Sequence, residues 1–248
     1  MKRVLKISGI VLAVVLVLLS WPAWQFYQEI EKARSEDPLV WENDVRELES
    51  ASMRQFAKGE GIVFIGSSSI RLWSSLQQDM APLPVIRHGF GGAKLNDVVF
   101  YAPRLVSAFT PKAVVVFAGT NDIDPNASKR PEVLLASYQA FVLAVREQQP
   151  QVPIFYIAIT PSLLRWSVWP QAQETNALIA QWSATQQGLH LIDTAPALLG
   201  DDGQPLREHY RLDGLHLSEM GYAAWTRIIR PRLETVLSVT DIGKTAAP

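Results

Sequence analysis

Ala113-Val114-Val115-Val116-Phe117-Ala118-Gly119-Thr120-Asn121-Asp122 is the stretch that decides the fold. An apolar run with three consecutive valines proceeds without alternation and stops at a glycine. A half-buried strand would alternate apolar and polar side chains, so this run reads as a strand covered on both faces, as in a parallel sheet. Thr120, Asn121 and Asp122 then lie at the strand's carboxyl end, where open α/β sheets bind ligands.

Working outward, similar runs occur at Ile62–Ile65, Val85–His88, Ile154–Ile159 and Leu189–Ile192. Helical patterns separate them: Ile70–Met80, Asn96–Phe109, Pro131–Gln149, Gln171–Gln187 and Ser218–Val236. A further amphipathic helix, Leu39–Lys58, starts behind Asp37-Pro38 and is stopped by Gly59 and Gly61. Strands alternating with helices predict a doubly wound α/β domain with a five-stranded parallel sheet. The Val239–Pro248 tail reads as frayed.

The N-terminus has a different character. Lys2, Arg3 and Lys6 precede an apolar run from Ile7 to Trp24 that only Ser8, Gly9, Ser20 and Pro22 interrupt. As a helix it would reach roughly 27 Å, close to the hydrocarbon thickness of a bilayer. Trp21, Trp24, Phe26 and Tyr27 supply an aromatic belt, and the basic residues in front favour a cytoplasmic N-terminus. Neither Leu18-Leu19-Ser20 nor Trp21-Pro22-Ala23 makes a good cleavage site. The expectation is an uncleaved transmembrane anchor at 1–24, a juxtamembrane linker at 25–37, a catalytic domain at 38–238 and a tail at 239–248. The domain would then be extracytoplasmic, periplasmic in a Gram-negative bacterium, or secreted if the segment is cleaved.

Composition narrows the chemistry. Net charge is −1 with no basic block, so nothing suggests a nucleic-acid partner. The absence of cysteine excludes disulfides, thiolate metal sites and a cysteine nucleophile.

Four loops at the sheet's carboxyl edge carry polar or glycine-rich groups: Gly66-Ser67-Ser68-Ser69, Gly89-Phe90-Gly91-Gly92, Gly119-Thr120-Asn121-Asp122, and the late Asp213-Gly214-Leu215-His216. A serine hydroxyl needs a base to take its proton, and His216 can be that base. Asp213, three residues earlier, can hold the ring's other N–H and fix its tautomer. Glycine N–H groups and the Asn121 amide can face a developing oxyanion. From the residues alone, any of the three serines can be the nucleophile. His209, Asp213 and His216 could also ligate zinc, although no distant third ligand or H-E-x-x-H accompanies them. The α/β-hydrolase nucleophile turn wants G-x-S-x-G, and position 70 is isoleucine.

In their order, these four blocks resemble those of the SGNH, or GDSL, hydrolases over roughly residues 60–235. The likeness is greatest to the branch of platelet-activating-factor acetylhydrolase-like and lysophospholipase-like esterases. The resemblance implies a three-layer α/β/α sandwich of flavodoxin-like type that cleaves esters without metal or cofactor. It assigns Ser68 as nucleophile, Asp213 and His216 as its triad partners, and Ser68, Gly92 and Asn121 as the oxyanion hole. One departure is Ser67, which stands where the family has the aspartate of Gly-Asp-Ser-Leu.

The loop from Thr160 to Gln171 carries Leu163, Leu164, Arg165, Trp166, Val168 and Trp169. These either pack beneath a long loop or form a substrate wall, with Trp166 and Trp169 against an acyl chain and Arg165 against an anionic group. The functional expectation is a carboxyl-ester hydrolase working through an acyl-Ser68 intermediate on an acyl lipid or an acetylated glycan. An O-acetyltransferase or deacetylase of cell-envelope polysaccharide would use the same site. A dead scaffold that only binds is disfavoured by the intact triad.

Overall fold

The computed structural model describes residues 24, 28–55 and 61–245, with side chains as far as residue 238. Five strands form one sheet: β1 (Ile62–Gly66), β2 (Val85–Gly89), β3 (Ala113–Phe117), β4 (Ile154–Ile157) and β5 (Leu189–Ile192). All pairings are parallel, in the order β2-β1-β3-β4-β5. Every residue of β1, β3 and β4 is buried, which is why these strands read as unbroken apolar runs.

Helices cover both faces. One layer holds α2 (Glu42–Gln55), α5 (Leu95–Leu105), α6 (Pro131–Arg146) and α7 (Trp169–Ser183), packed on Val63, Ile65, Val114, Val116 and Tyr156. The other holds α3 (Ser68–Arg71), α4 (Leu76–Asp79) and α8 (Glu219–Thr245) against Phe64, Val115, Phe117 and Phe155. Strand side chains alternate between the two cores, as the pleat requires. The chain runs from β1 to β2 on one side, then crosses back to β3 on the other. That reversal makes the gap beyond β1 and β3 the switch point where such sheets form their ligand crevice.

Several boundaries differ from the sequence reading. The single helix expected over Ile70–Met80 is two short ones, α3 and α4. Between them Trp73 turns fully inward, and its indole N–H and the Ser75 hydroxyl both donate to Asp79, each at 2.6 Å. The Asn96–Phe109 pattern ends as α-helix at Leu105, and a short 3-10 turn over Ser107–Phe109 closes at Thr110 (φ 46°). The last helix, expected over Ser218–Val236, is α8 and runs from Glu219 to Thr245.

The segment read as a juxtamembrane linker has structure as well. Residues 28–34 are helical (α1), and a 3-10 turn at Pro38–Trp41 follows, with Asp37 capping the Leu39 N–H. The anchor expected over residues 7–24 lies outside the described residues apart from Trp24. Among the described residues no helix is long and apolar enough to cross a membrane.

Candidate active site

Gly66 ends β1 at φ 153°, and a Cβ there would sit 2.0 Å from the Phe117 carbonyl oxygen, so only glycine lets the chain turn this close to β3. Ser67 N–H donates to that same carbonyl at 3.1 Å, and the Ser67 carbonyl accepts from Ile70 and Arg71 N–H groups. Ser68 therefore opens α3 with its side chain held above the sheet edge. Ser67 is 2% exposed and its hydroxyl caps no helix N–H, so the departure from the family aspartate is a small buried group.

Ser68 Oγ lies 2.9 Å from His216 Nε2, and His216 Nδ1 lies 2.8 Å from Asp213 Oδ2. The other Asp213 oxygen accepts the backbone N–H groups of Leu215 and His216, both at 2.9 Å. Burial would raise the Asp213 carboxyl, but the bonds from the His216 ring and these two N–H groups outweigh it and hold the group below its ordinary value. A carboxylate beside Nδ1 places the proton there, leaving Nε2 to accept from the serine. Asp193, the other acid near a strand end, accepts from Ala195 N–H in its own turn.

Asn121 follows β3 across the crevice. Its Nδ2 donates to the Ala93 carbonyl at 3.0 Å, which turns the amide toward the loop after β2 and leaves a second amide hydrogen. A Cβ built on Gly92 would come within 3.9 Å of that nitrogen. Ser68, Gly92 and Asn121 are thus gathered on one edge, from three loops. A small recess lies over Ser68, lined by Ser69, Phe117, Thr120, Asn121, Thr160, Ser162 and Leu215.

Behind these loops lies a charged cluster that the sequence reading missed. Asp122 accepts from Leu95 N–H at 2.9 Å, and Asp97 accepts from Lys94 N–H at 2.8 Å. Both carboxyls are pushed up by burial. Lys129 reaches Asp122 at 3.1 Å, and Glu36 bridges Lys94 and Lys129 at 2.5 and 2.7 Å. Lys94 Nζ also donates to the carbonyls of Arg34 and Ser35. Ala33 of α1 lies over Gly92, and Glu29 grips Arg71 with two bonds of 3.0 Å.

Of the residues expected in a substrate wall, Arg165, Trp166 and Trp169 do not line the recess over Ser68. Trp169 is 8% exposed and belongs to the core at the start of α7, and Trp166 stacks on it at 6.3 Å. Arg165 donates to the Thr120 carbonyl, lies 3.4 Å from Asn121 Oδ1, and has its guanidinium pKa lowered by burial. Arg165 and Trp169 line a separate small cavity behind Thr120 and Thr160, and none of the three lines the recess over Ser68. Charge and aromaticity look exposed in a loop sequence, and only the tertiary contacts reveal their burial. Among the described residues no cluster of three or more His, Asp and Glu could hold a metal.

A hydrogen-bonded serine, histidine and aspartate at the switch point of a parallel sheet is an arrangement that can perform acyl transfer. Residues 56–224 match the model of the GDSL-like lipase/acylhydrolase family, and the chain belongs to that family of hydrolases acting on ester bonds. It is 29% identical over 189 residues to platelet-activating factor acetylhydrolase IB subunit alpha1 of Pongo abelii, covering 71% of this chain and 77% of that one. A GDSL-like lipase from Bacteroides thetaiotaomicron superposes with a TM-score of 0.65 at 17% identity, over 81% of this chain and all (100%) of that one. A carbohydrate esterase of family 3 from Talaromyces cellulolyticus superposes with a TM-score of 0.59 at 19% identity, over 74% of this chain and 99% of that one.

Proposed function

We propose that the protein hydrolyses carboxylic esters through an acyl-Ser68 intermediate, and that residues 7–24 hold it to a membrane with the catalytic domain on the extracytoplasmic side. The observation that carries the chemistry is the unbroken line from Ser68 Oγ to His216 Nε2 and from Nδ1 to Asp213.

Ser68 Oγ attacks the ester carbonyl while its proton passes to His216 Nε2. The carbonyl oxygen becomes an oxyanion, met by the Ser68 and Gly92 N–H groups and the second Asn121 amide hydrogen. Asp213 holds the imidazolium through Nδ1 and stays ionised. His216 then gives the proton to the leaving alkoxide, and the C–O bond breaks. Water, deprotonated by the same Nε2, attacks the acyl-serine and releases the acid.

The recess is small and lined by hydroxyls and the Asn121 amide alongside Phe117, Leu215 and Leu217, and its size favours a short acyl group. That lining also supports a second reading, in which the site removes acetyl groups from cell-envelope polysaccharide or transfers them to it. The likeness to a carbohydrate esterase agrees with this reading. The test is hydrolysis of p-nitrophenyl acetate and butyrate by the full chain in detergent. Ser68→Ala should lose essentially all activity while keeping its circular dichroism spectrum, and a fully active variant would refute the assignment. A wild-type chain that spares both esters but acetylates a glycan would establish the transferase reading.

A further inference from the structure

Three leucines form an apolar rim beside the triad. Leu212, next to Asp213, is 96% exposed, and Leu164 and Leu163 are 59% and 36% exposed. Leu163 and Leu164 lie against the turn that follows Leu212, because Leu164 N–H donates to the Gly214 carbonyl at 3.0 Å and a Cβ on Gly214 would lie 3.2 Å from Leu163 Cβ. The rim is built rather than loose. Arg207 donates to the carbonyls of Arg211 and Leu212 at 2.7 and 3.2 Å, and Arg211 donates to the Leu217 carbonyl at 3.1 Å. The backbone is thereby fixed with Leu212 pointing outward and two exposed guanidinium groups beside it. Apolar side chains held out in a cluster mark a surface meant to be covered.

The chain's own course says what covers it. Glu29 is anchored to Arg71, three positions beyond Ser68, and Ala33 lies on Gly92, so the polypeptide joins the domain at the same sheet edge as the triad. Trp24, the end of the apolar run, and Glu29 are only five positions apart. Fully extended, those five steps reach about 17 Å. A bilayer span at 7–24 leaves the domain too short a tether to turn this edge far away from the surface.

We propose that the edge carrying Ser68 docks on the lipid surface, with Leu163, Leu164 and Leu212 in the boundary between headgroups and acyl chains. Arg207 and Arg211 then face anionic headgroups, the arrangement of interfacial apolar faces flanked by cations. The docking rests on the proposed anchor at 7–24, and its consequence, that esters presented at the surface are attacked in preference to dissolved ones, rests on the esterase reading as well.

The lack of cysteine makes the test clean. Leu212→Cys, Leu164→Cys and, at the opposite edge, the exposed Gln151→Cys are each labelled in the full chain with an environment-sensitive fluorophore. Each is mixed with phosphatidylcholine–phosphatidylglycerol vesicles with and without a spin-labelled lipid. Docking predicts a blue shift and loss of fluorescence at 212 and 164 and none at 151. Equal quenching at all three positions, quenching at 151 alone, or a chain that does not bind vesicles overturns the proposal. No turnover is involved, so the result is independent of whether Ser68 is the nucleophile. Second, the paired Leu164→Gln and Leu212→Gln substitutions should lower the ratio of the rate on a vesicle-borne ester to that on p-nitrophenyl acetate. An unchanged ratio overturns the preference for surface esters.

Discussion

Glu36 and Lys94 are 58 positions apart in sequence, yet the carboxylate stands 2.5 Å from the ammonium. The Lys94 side chain is 8% exposed, and its second partners are two carbonyls of the same incoming segment. Lys94 follows Gly92 by two residues, and Glu36's other oxygen holds Lys129, which pairs with Asp122 beside Asn121. One carboxylate therefore ties together the two loops assigned to the oxyanion hole. Glu36 itself is 60% exposed, so solvent screens it and the effect of removing it is modest. Glu36→Gln should lower kcat by roughly fivefold, equivalent to about 1 kcal/mol, with KM nearly unchanged. Glu36→Asp should recover part of the loss. Steady-state kinetics on p-nitrophenyl acetate would show this, and a change confined to KM would contradict it.

A second expectation follows from the contact of α1 with the loop after β2. A Cβ on Gly92 would lie 2.4 Å from Ala33 Cβ, which no real pair of methyl carbons tolerates. Gly92→Ala should therefore lift α1 or displace the Gly92 N–H, and activity should fall by about 10²-fold if that N–H meets the oxyanion. Adding Ala33→Gly removes the clash and should restore much of the activity. If the double variant is no better than Gly92→Ala alone, α1 does not rest on this loop in solution.

The triad makes a sharper prediction. Asp213 accepts three hydrogen bonds, one of which fixes the His216 tautomer. Asp213→Asn would present an amide N–H or a weaker acceptor to Nδ1, and kcat should drop by about 10⁴-fold with the fold unchanged. Asn121→Ala should cost less, about 10²- to 10³-fold, because it would remove one of the three proposed oxyanion donors. Similar losses for both would mean that the two residues do not play these separate roles.

What could be read from the sequence was the part encoded by neighbours along the chain. Val114 to Val116 announce a strand because burial on both faces leaves no polar position, and Asp213 reaches His216 within one turn of loop. Ser68 was distinguishable from Ser67 and Ser69 only through the family resemblance, and of the three it is Ser68 whose hydroxyl meets His216 Nε2. Contacts that join distant segments left no periodic trace. Glu36 fell within the segment read as a juxtamembrane linker, and nothing in its neighbourhood along the chain points to Lys94. Arg165 resembled a free binding group because nothing in sequence signals that the Thr120 carbonyl, 45 positions away, accepts its proton. Trp73 broke an expected helix for the same reason, since its burial depends on Phe64, Tyr222 and Trp225 around it.

The last prediction concerns His88 on β2, which stands apart from the proposed chemistry. It is fully buried, its Nδ1 lies 2.6 Å from the Leu105 carbonyl, and its Nε2 lies 2.8 Å from Ser52 Oγ. A carbonyl can only accept, so Nδ1 carries the proton and Nε2 takes the Ser52 hydroxyl hydrogen, which leaves the ring neutral. Burial lowers its pKa to about 4, and the Leu105 carbonyl and the charge of Glu49 oppose that shift only in part. The unfolded chain binds a proton here near the ordinary histidine value of 6.5, whereas the folded chain refuses it until about 4. Stability from this group is therefore complete above pH 6.5, declines as pH falls toward 4, and levels off below. The full loss is about 3 kcal/mol. Urea unfolding at several pH values between 7 and 4 should show it as a falling midpoint. His88→Phe removes the titrating ring and strands the Ser52 hydroxyl, so it should be less stable at pH 7 but show a flatter dependence on pH. Parallel profiles for the two chains would mean that the ring is protonated in the fold or reachable by water.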